Sequence, residues 1–137
     1  KGTFNTDCEY ILKCETDKLY FYITDESVAS TYEAVYYNTA LTSYEGQWIH
    51  LTATYDGRGG TSANSGMKLY LNGSVLTTVA DDFGTYVAME NLSAPVYVGR
   101  YSSNYSNGLI DEVRIYSKEL SSSEVTRNYN NGKSAYQ

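Results

Sequence analysis

The stretch "QWIHLTATYDG", Gln47 to Gly57, carries the clearest strand signal in the chain. Aromatic and β-branched residues fill it, and it ends at the turn-forming pair Asp56-Gly57. We predict a strand over residues 47–56. The segment that follows, "GRGGTSANSG", is too rich in Gly, Ser and Asn to be ordered by its own packing, so it is predicted to be a loop.

Further short strand signals lie on both sides of this stretch. "MKLYLNGSVLTTVA" predicts two strands around Asn72-Gly73, the strongest hairpin signal in the sequence. "YILKC" and "KLYFYITD" flank "ETD" as a second hairpin. Three more segments, "YEAVYYN", "PVYVGRY" and "GLIDEVRIY", alternate in the same way. The chain therefore reads as a succession of short strands.

Only one segment has the features of a helix. In "SSSEVTRNYNNG", Ser121 stands three residues before Glu124, the spacing of a capping box, and Gly132 is a suitable stop. At 137 residues the chain fits one domain, predicted to span residues 1–137. The predicted fold class is all-β, an antiparallel sandwich or jelly roll with one short C-terminal helix.

Composition limits the classes of partner. The net charge is −6 and no run of basic residues is present, which argues against nucleic acid and anionic membranes. No apolar run approaches the roughly 18 residues of a membrane helix, so membrane insertion is not expected. Sixteen tyrosines are the outlier. A phenol suits half-buried strand positions, sugar stacking and protein interfaces equally.

The two cysteines do not decide the compartment. In a straight strand Cys8 and Cys14 would lie about 20 Å apart, too far for a disulfide. They can pair with each other only if the chain bends sharply. Pairing with another chain and two free thiols both stay open.

Four blocks that together cover most of the chain carry a family resemblance. "QWIHLTATYDG", "MKLYLNG", "VYVGRY" and "GLIDEVRIYSKELSSSEVTRNYNNG" follow one another from about residue 46 to Gly132. In this order they resemble the laminin-G-like, concanavalin-A-type jelly-roll domain of extracellular and phage structural proteins. The resemblance implies two curved antiparallel sheets, each of about six or seven strands. It also implies that Trp48 packs between them, with a sugar-stacking role for Trp48 as the alternative.

The chain departs from this family at its front. Family members open with one or more further strands before the position of Lys1, so front strands are expected to be missing here. An unpaired sheet edge leaves backbone hydrogen bonds unmade. The resemblance thus predicts a strand slot that is either empty or filled by a neighbouring chain.

Alternation within "GLIDEVRIY" raises the question of a metal. It places Asp111 in one row with Leu109, Val113 and Ile115. A buried carboxylate must be paired, hydrogen-bonded or coordinated. In laminarinase-like relatives a similar strand lends its Asp to a structural Ca²⁺, so the resemblance makes Asp111 a candidate calcium ligand. Backbone N–H donors, a basic side chain or a β-bulge that turns Asp111 outward are the alternatives.

The function expected from these features is binding without catalysis. Laminarinase-like hydrolases carry a Glu-x-Asp-x-Glu strand, and a retaining mechanism needs two carboxyls about 5 Å apart. The nearest match, "ETDKL" at Glu15 to Leu19, has leucine at the third acidic position and reads as a turn. With one histidine and no GxSxG motif, an enzyme is not expected.

The resemblance points to a lectin-like adhesion domain, extracellular or surface-associated, that recognises carbohydrate or a cell-surface protein. The alternative is a structural assembly domain of a surface filament, layer or virion, completed by a neighbouring strand. Tyrosine, Asn and Asp side chains in loops suit hydroxyl-rich ligands, whereas each such residue singly is as well explained as a solvated turn. The candidate ligand-binding residues are Arg58, Asn64, Tyr101, Asn104 and Tyr105.

Overall fold

The computed structural model describes residues 1–3, 6–28 and 31–135. These residues form short antiparallel strands followed by one helix. The strands are β1 (Tyr10–Glu15), β2 (Lys18–Asp25), β3 (Thr31–Tyr37), β4 (Leu51–Tyr55), β5 (Met67–Leu71), β6 (Ser74–Val75), β7 (Val79–Phe83), β8 (Arg100–Tyr101) and β9 (Asn104–Tyr105), and the helix is α1 (Ser122–Gly132). Single 3-10 turns occupy Thr42–Tyr44, Ala63–Gly66 and Lys133–Ala135.

The larger sheet has four strands in the order β1-β2-β3-β7. Its first hairpin closes with two residues, Thr16 and Asp17, whose φ angles are +48° and +62°. Two successive left-handed residues give the backbone twist that matches a two-residue hairpin. The hairpin predicted around "ETD" is therefore confirmed.

The smaller sheet has three strands in the order β4-β5-β6. Asn72 and Gly73 form the predicted turn, with φ angles of +51° and +78°. The Asn72 side-chain oxygen accepts the backbone N–H of His50 at 2.9 Å, and the Asn72 N–H donates to the His50 carbonyl at 2.8 Å. This turn thus also fixes the chain that enters β4.

The core lies between these two sheets. Leu19, Phe21 and Ile23 of β2 alternate inward and meet the buried side chains of β5. Val35, Leu41, Ala63 and Tyr86 complete the cluster, whose β5 members are Met67, Leu69 and Leu71. The antiparallel sheets, their apolar contact layer and the C-terminal helix are those of a concanavalin A-like jelly roll, as the sequence predicted.

Helix α1 packs on the outer side of the smaller sheet. Val125 is fully buried together with Tyr70 and Leu120. The Tyr70 hydroxyl is 3.1 Å from the hydroxyl of Ser122, and the Thr126 hydroxyl donates to the carbonyl of Gly73 at 2.9 Å. The capping box is present as predicted, because Ser121 and Glu124 bond each other's backbone N–H groups.

Several strand predictions are wrong in extent. β4 begins at Leu51, and Trp48 lies before it with 45% of its surface exposed, so Trp48 does not pack between the sheets. "PVYVGRY" contributes only Arg100–Tyr101, paired with β9 in a two-residue hairpin. The described sheets have four, three and two strands, fewer than the family resemblance implied.

The segment around Asp111 also differs from its prediction. Residues 108–116 form no strand, and every residue from 109 to 116 is exposed. Glu112 adopts a left-handed conformation with φ of +53°, which interrupts the alternation on which the buried row depended. Asp111 therefore does not lie in an apolar row. The carboxylate of Asp111 accepts the N–H of Glu112 at 2.7 Å.

Candidate functional site: the tyrosine face

One face of the four-stranded sheet is lined by aromatic rings and points away from the core. Register places Tyr20 opposite Tyr36 and Thr24 opposite Tyr32, while Phe83 lies opposite Tyr32 on the next strand. Since residues two apart share a face, Tyr22 lies on the same side. We call this surface, formed by Tyr20, Tyr22, Tyr32, Tyr36 and Phe83, the tyrosine face.

The rings of the tyrosine face contact one another in a continuous series. The ring centroids are 5.2 Å apart for Tyr36 and Tyr20, 5.8 Å for Tyr20 and Tyr22, and 5.3 Å for Tyr22 and Tyr32. Phe83 follows at 6.1 Å from Tyr32. These are favourable separations for aromatic pairs, so the rings support one another. The tyrosines are half-buried, and Phe83 has 60% of its surface exposed.

Charged side chains border the rings. The ammonium of Lys13 is 5.0 Å from the centroid of Tyr22 and that of Lys18 is 5.6 Å from the centroid of Tyr36, both within cation–π range. Burial raises the pKa of the Tyr32 phenol, and the neighbouring Asp81 carboxylate raises it further. The tyrosine face thus combines apolar ring surface with donors and acceptors at its margin.

Three of the predicted site residues lie in the small hairpin of β8 and β9. The Tyr101 ring lies 4.9 Å from the Lys13 ammonium, so one cation bridges Tyr101 and Tyr22. Burial raises the pKa of the Tyr101 hydroxyl. Asn104 and Tyr105 are exposed, Tyr105 by 74%. Tyr101 therefore borders the tyrosine face, with Asn104 and Tyr105 farther out on the same hairpin.

The other two predicted residues lie in the loop between β4 and β5. The Arg58 guanidinium donates to the Asp56 carboxylate at 2.8 and 2.6 Å and to the Ser65 hydroxyl at 2.7 Å. The Asn64 backbone N–H donates to the buried Glu33 carboxylate at 3.1 Å. These contacts order the loop from within. None of the described contacts joins Arg58 or Asn64 to the hairpin of β8 and β9.

The sequence held a signal for the tyrosine face that the site prediction did not use. Alternation in "KLYFYITD" and "YEAVYYN" separates the tyrosines from the inward-facing residues of each strand. The alternation within each strand does not give the register between the strands, and this register places the two rows of tyrosines side by side. The predicted sites were instead placed in loops.

Comparison with known proteins gives the family. A model of the family Laminin_G_3, described as the concanavalin A-like lectin/glucanases superfamily, matches residues 3–126. The chain belongs to this superfamily. Searches of curated proteins and of solved structures found no match.

The superfamily name covers both lectins, which bind carbohydrate, and glucanases, which hydrolyse it. We therefore compare the carboxylates of this chain with the pattern that hydrolysis requires. Glu15 ends β1 and forms an ion pair with Lys13 at 3.1 Å, while Asp17 sits in the two-residue turn. Carboxylates in a turn do not share the strand face that the glucanase pattern requires. "ETDKL" therefore does not reproduce that pattern.

The described residues contain no group of three or more His, Cys, Asp or Glu side chains that could hold a metal. Asp111 would thus need backbone carbonyls or water for most of a calcium shell, which calcium accepts. Among the described helices, none is long and apolar enough to cross a membrane. Both cysteines are free thiols, Cys8 buried and Cys14 exposed.

Proposed function

We propose that this laminin-G-like domain is a non-catalytic, lectin-like module that binds carbohydrate on the tyrosine face in an extracellular or surface-associated setting. The observation that carries the proposal is the series of five aromatic rings on the solvent side of one sheet. Three of the four ring pairs are stacked and the Tyr22–Tyr32 pair is edge-to-face, so the rings form a preorganised apolar platform on the sheet, on which sugars can place their C–H faces.

The polar margin supports the same ligand class. Lys13, Lys18 and Asp81 border the rings and can exchange hydrogen bonds with hydroxyl groups. Tyr101 extends the platform toward Asn104 and Tyr105. Arg58 and Asn64 are not needed in this proposal, because their described polar contacts serve the loop.

The test is a glycan array followed by calorimetric titration of the best oligosaccharide. Replacing two rings, in Tyr20→Ala/Tyr36→Ala, is expected to weaken binding by about thirtyfold, since each ring contributes on the order of 1 kcal/mol and every 1.4 kcal/mol is a factor of ten. Trp48→Ala is the matched control, an exposed aromatic outside the tyrosine face. If Trp48→Ala lost binding while Tyr20→Ala/Tyr36→Ala kept it, the binding site would lie outside the tyrosine face and the proposal would be wrong.

The same oligosaccharide tests the absence of catalysis. After prolonged incubation with the protein, chromatography is expected to show only intact oligosaccharide. Product that disappears in Glu15→Gln or Asp17→Asn would instead establish hydrolysis at the β1–β2 turn.

An assembly role is the second candidate, with a cell-surface protein or a second copy as partner. The observation that favours it is the concentration of exposed apolar side chains in residues 87–116. Of seventeen exposed large hydrophobic side chains among the described residues, eleven lie in this range. Exposed apolar side chains mark interaction sites where they form a contiguous surface.

A further inference from the structure

We infer that residues 109–116 form a self-association strip, through which two copies of this chain pair as antiparallel strands. The inference concerns a surface apart from the tyrosine face and does not depend on the proposed carbohydrate site. It rests on the exposure of the strip, on its tethering to the molecule and on its self-complementary sequence.

The strip carries apolar side chains that the rest of the molecule leaves about half exposed or more. Leu109 has 82% of its surface exposed, Val113 has 54% and Ile115 has 61%. Ile110 and Tyr116, on the other side of the alternation, are 51% and 45% exposed. The strip belongs to neither main sheet, so strand pairing with another chain does not have to break an existing ladder.

Contacts near both ends of the strip hold it to the rest of the molecule. A Cβ on Gly99 would lie 3.3 Å from the Ile110 side chain, which places Ile110 over that glycine. At the other end the Asn128 side-chain amide donates to the Tyr116 hydroxyl at 3.0 Å. These tethers keep the strip near the molecule and present it to solvent. Glu112, with φ of +53°, is the only residue of the strip with a positive φ, so Glu112 must change its backbone conformation for the strip to become extended.

The sequence "LIDEVRIY" is complementary to itself when two copies run antiparallel with Val113 opposite Val113. A two-fold axis through that pair then places Glu112 of each copy opposite Arg114 of the other. Ile110 and Tyr116 become opposite in the same way. Directly opposed residues of unlike charge, and opposed apolar residues, stabilise an antiparallel pair. The other face pairs Asp111 with Ile115.

A two-fold pairing counts each favourable contact twice, because the same patch is used on both copies. Within one molecule Arg114 and Glu112 already contact each other, so both charges lie at the exposed surface before pairing. Pairing replaces the one contact within each copy by two equivalent contacts between the copies, so the number of charge contacts is unchanged and the gain comes from the opposed apolar residues Ile110 and Tyr116 and from Val113 opposite Val113. A second copy is therefore the occupant that the charges of the strip match.

Sedimentation of the whole chain over a range of concentrations tests the inference. The unaltered protein is expected to form a dimer whose fraction rises with concentration. Glu112→Arg or Arg114→Glu alone places like charges opposite each other at both pairs and is expected to raise the dissociation constant at least about tenfold. The matched control is Arg127→Glu, a charge reversal at an exposed helix position, which should leave the dimer unchanged.

Mixing the two single variants provides the decisive readout. Glu112→Arg then presents two arginines to the two glutamates of Arg114→Glu, so a heterodimer is expected from two proteins that associate poorly alone. Circular dichroism confirms that each variant is folded. A protein that stays monomeric at every concentration overturns the inference. Single variants that dimerise normally, or a mixture that does not associate, also overturn it.

Discussion

At the residue scale, Asp25 joins two parts of the chain that are distant in sequence. It is 1% exposed and accepts hydrogen bonds from the Ser27 hydroxyl at 2.6 Å and from the N–H groups of Val87 and Ala88 at 3.0 and 3.2 Å. Burial alone would raise the pKa of Asp25, but these hydrogen bonds outweigh it and the pKa is lowered. We predict that Asp25→Asn lowers the free energy of unfolding at pH 7 by about 2 kcal/mol, measured by urea unfolding.

The contribution of Asp25 to the stability of the fold is expected to decrease as the pH falls. A lowered pKa in the folded state makes its contribution present above the unfolded pKa of about 3.9 and lost as the pH falls through the folded value. Asp25→Asn should therefore lose less stability than the unaltered protein on acidification. An equal loss in both proteins would contradict the role of this carboxylate.

Glu33 is a buried carboxyl whose pKa shifts in the direction opposite to that of Asp25. It is 1% exposed, and burial raises its pKa although the Asn64 N–H partly offsets the shift. Its contribution is present below the unfolded pKa of about 4.3 and is lost as the pH rises through the raised value. Glu33→Gln is thus expected to lose less stability than the unaltered protein between pH 4 and 7, measured by thermal unfolding. An identical pH profile would show that the carboxyl ionises without a penalty.

At the element scale, helix α1 depends on its first turn. The Glu124 N–H donates to the Ser121 hydroxyl at 3.3 Å, and the Ser121 N–H donates to the Glu124 carboxylate at 2.8 Å. Ion pairing with Lys118 and these bonds lower the pKa of Glu124 to about 2. We predict that Ser121→Ala lowers the free energy of unfolding by about 1 kcal/mol in urea, because a backbone donor loses its cap. Ser117→Ala, an exposed serine outside the helix, should have no effect.

Elements with their own local signal were predictable from the sequence, and elements that depend on a partner were not. Asn72-Gly73 and the Ser121 capping box carry their geometry within a few residues, so both were predicted correctly. The alternation of side chains in residues 108–116 indicates only which residues would share a face if a strand formed there. Whether a strand forms depends on a neighbour to pair with, which no local pattern encodes. The tyrosine face likewise follows from strand register, which is a long-range property.

At the scale of the whole molecule, the net charge of −6 means that any cation reduces self-repulsion, so a specific calcium site must be separated from screening. Calcium at Asp111 remains a proposal. Its support is an exposed carboxylate on the surface of an acidic domain, together with the family resemblance of "DEVRIY". Because Asp111 is exposed, Asp111→Asn is expected to leave the melting temperature unchanged in chelator.

If calcium binds there, millimolar Ca²⁺ raises the melting temperature of the unaltered protein and not that of Asp111→Asn, since a ligand stabilises only the state that binds it. Equal concentrations of Mg²⁺ provide the control, because Mg²⁺ screens charge similarly but demands a stricter octahedral shell. If the melting temperature rose equally with both ions, or equally in both proteins, charge screening would explain the rise and no specific calcium site would be needed. A drop in the melting temperature of Asp111→Asn in chelator would instead mean that this carboxylate stabilises the fold through its own hydrogen bonds.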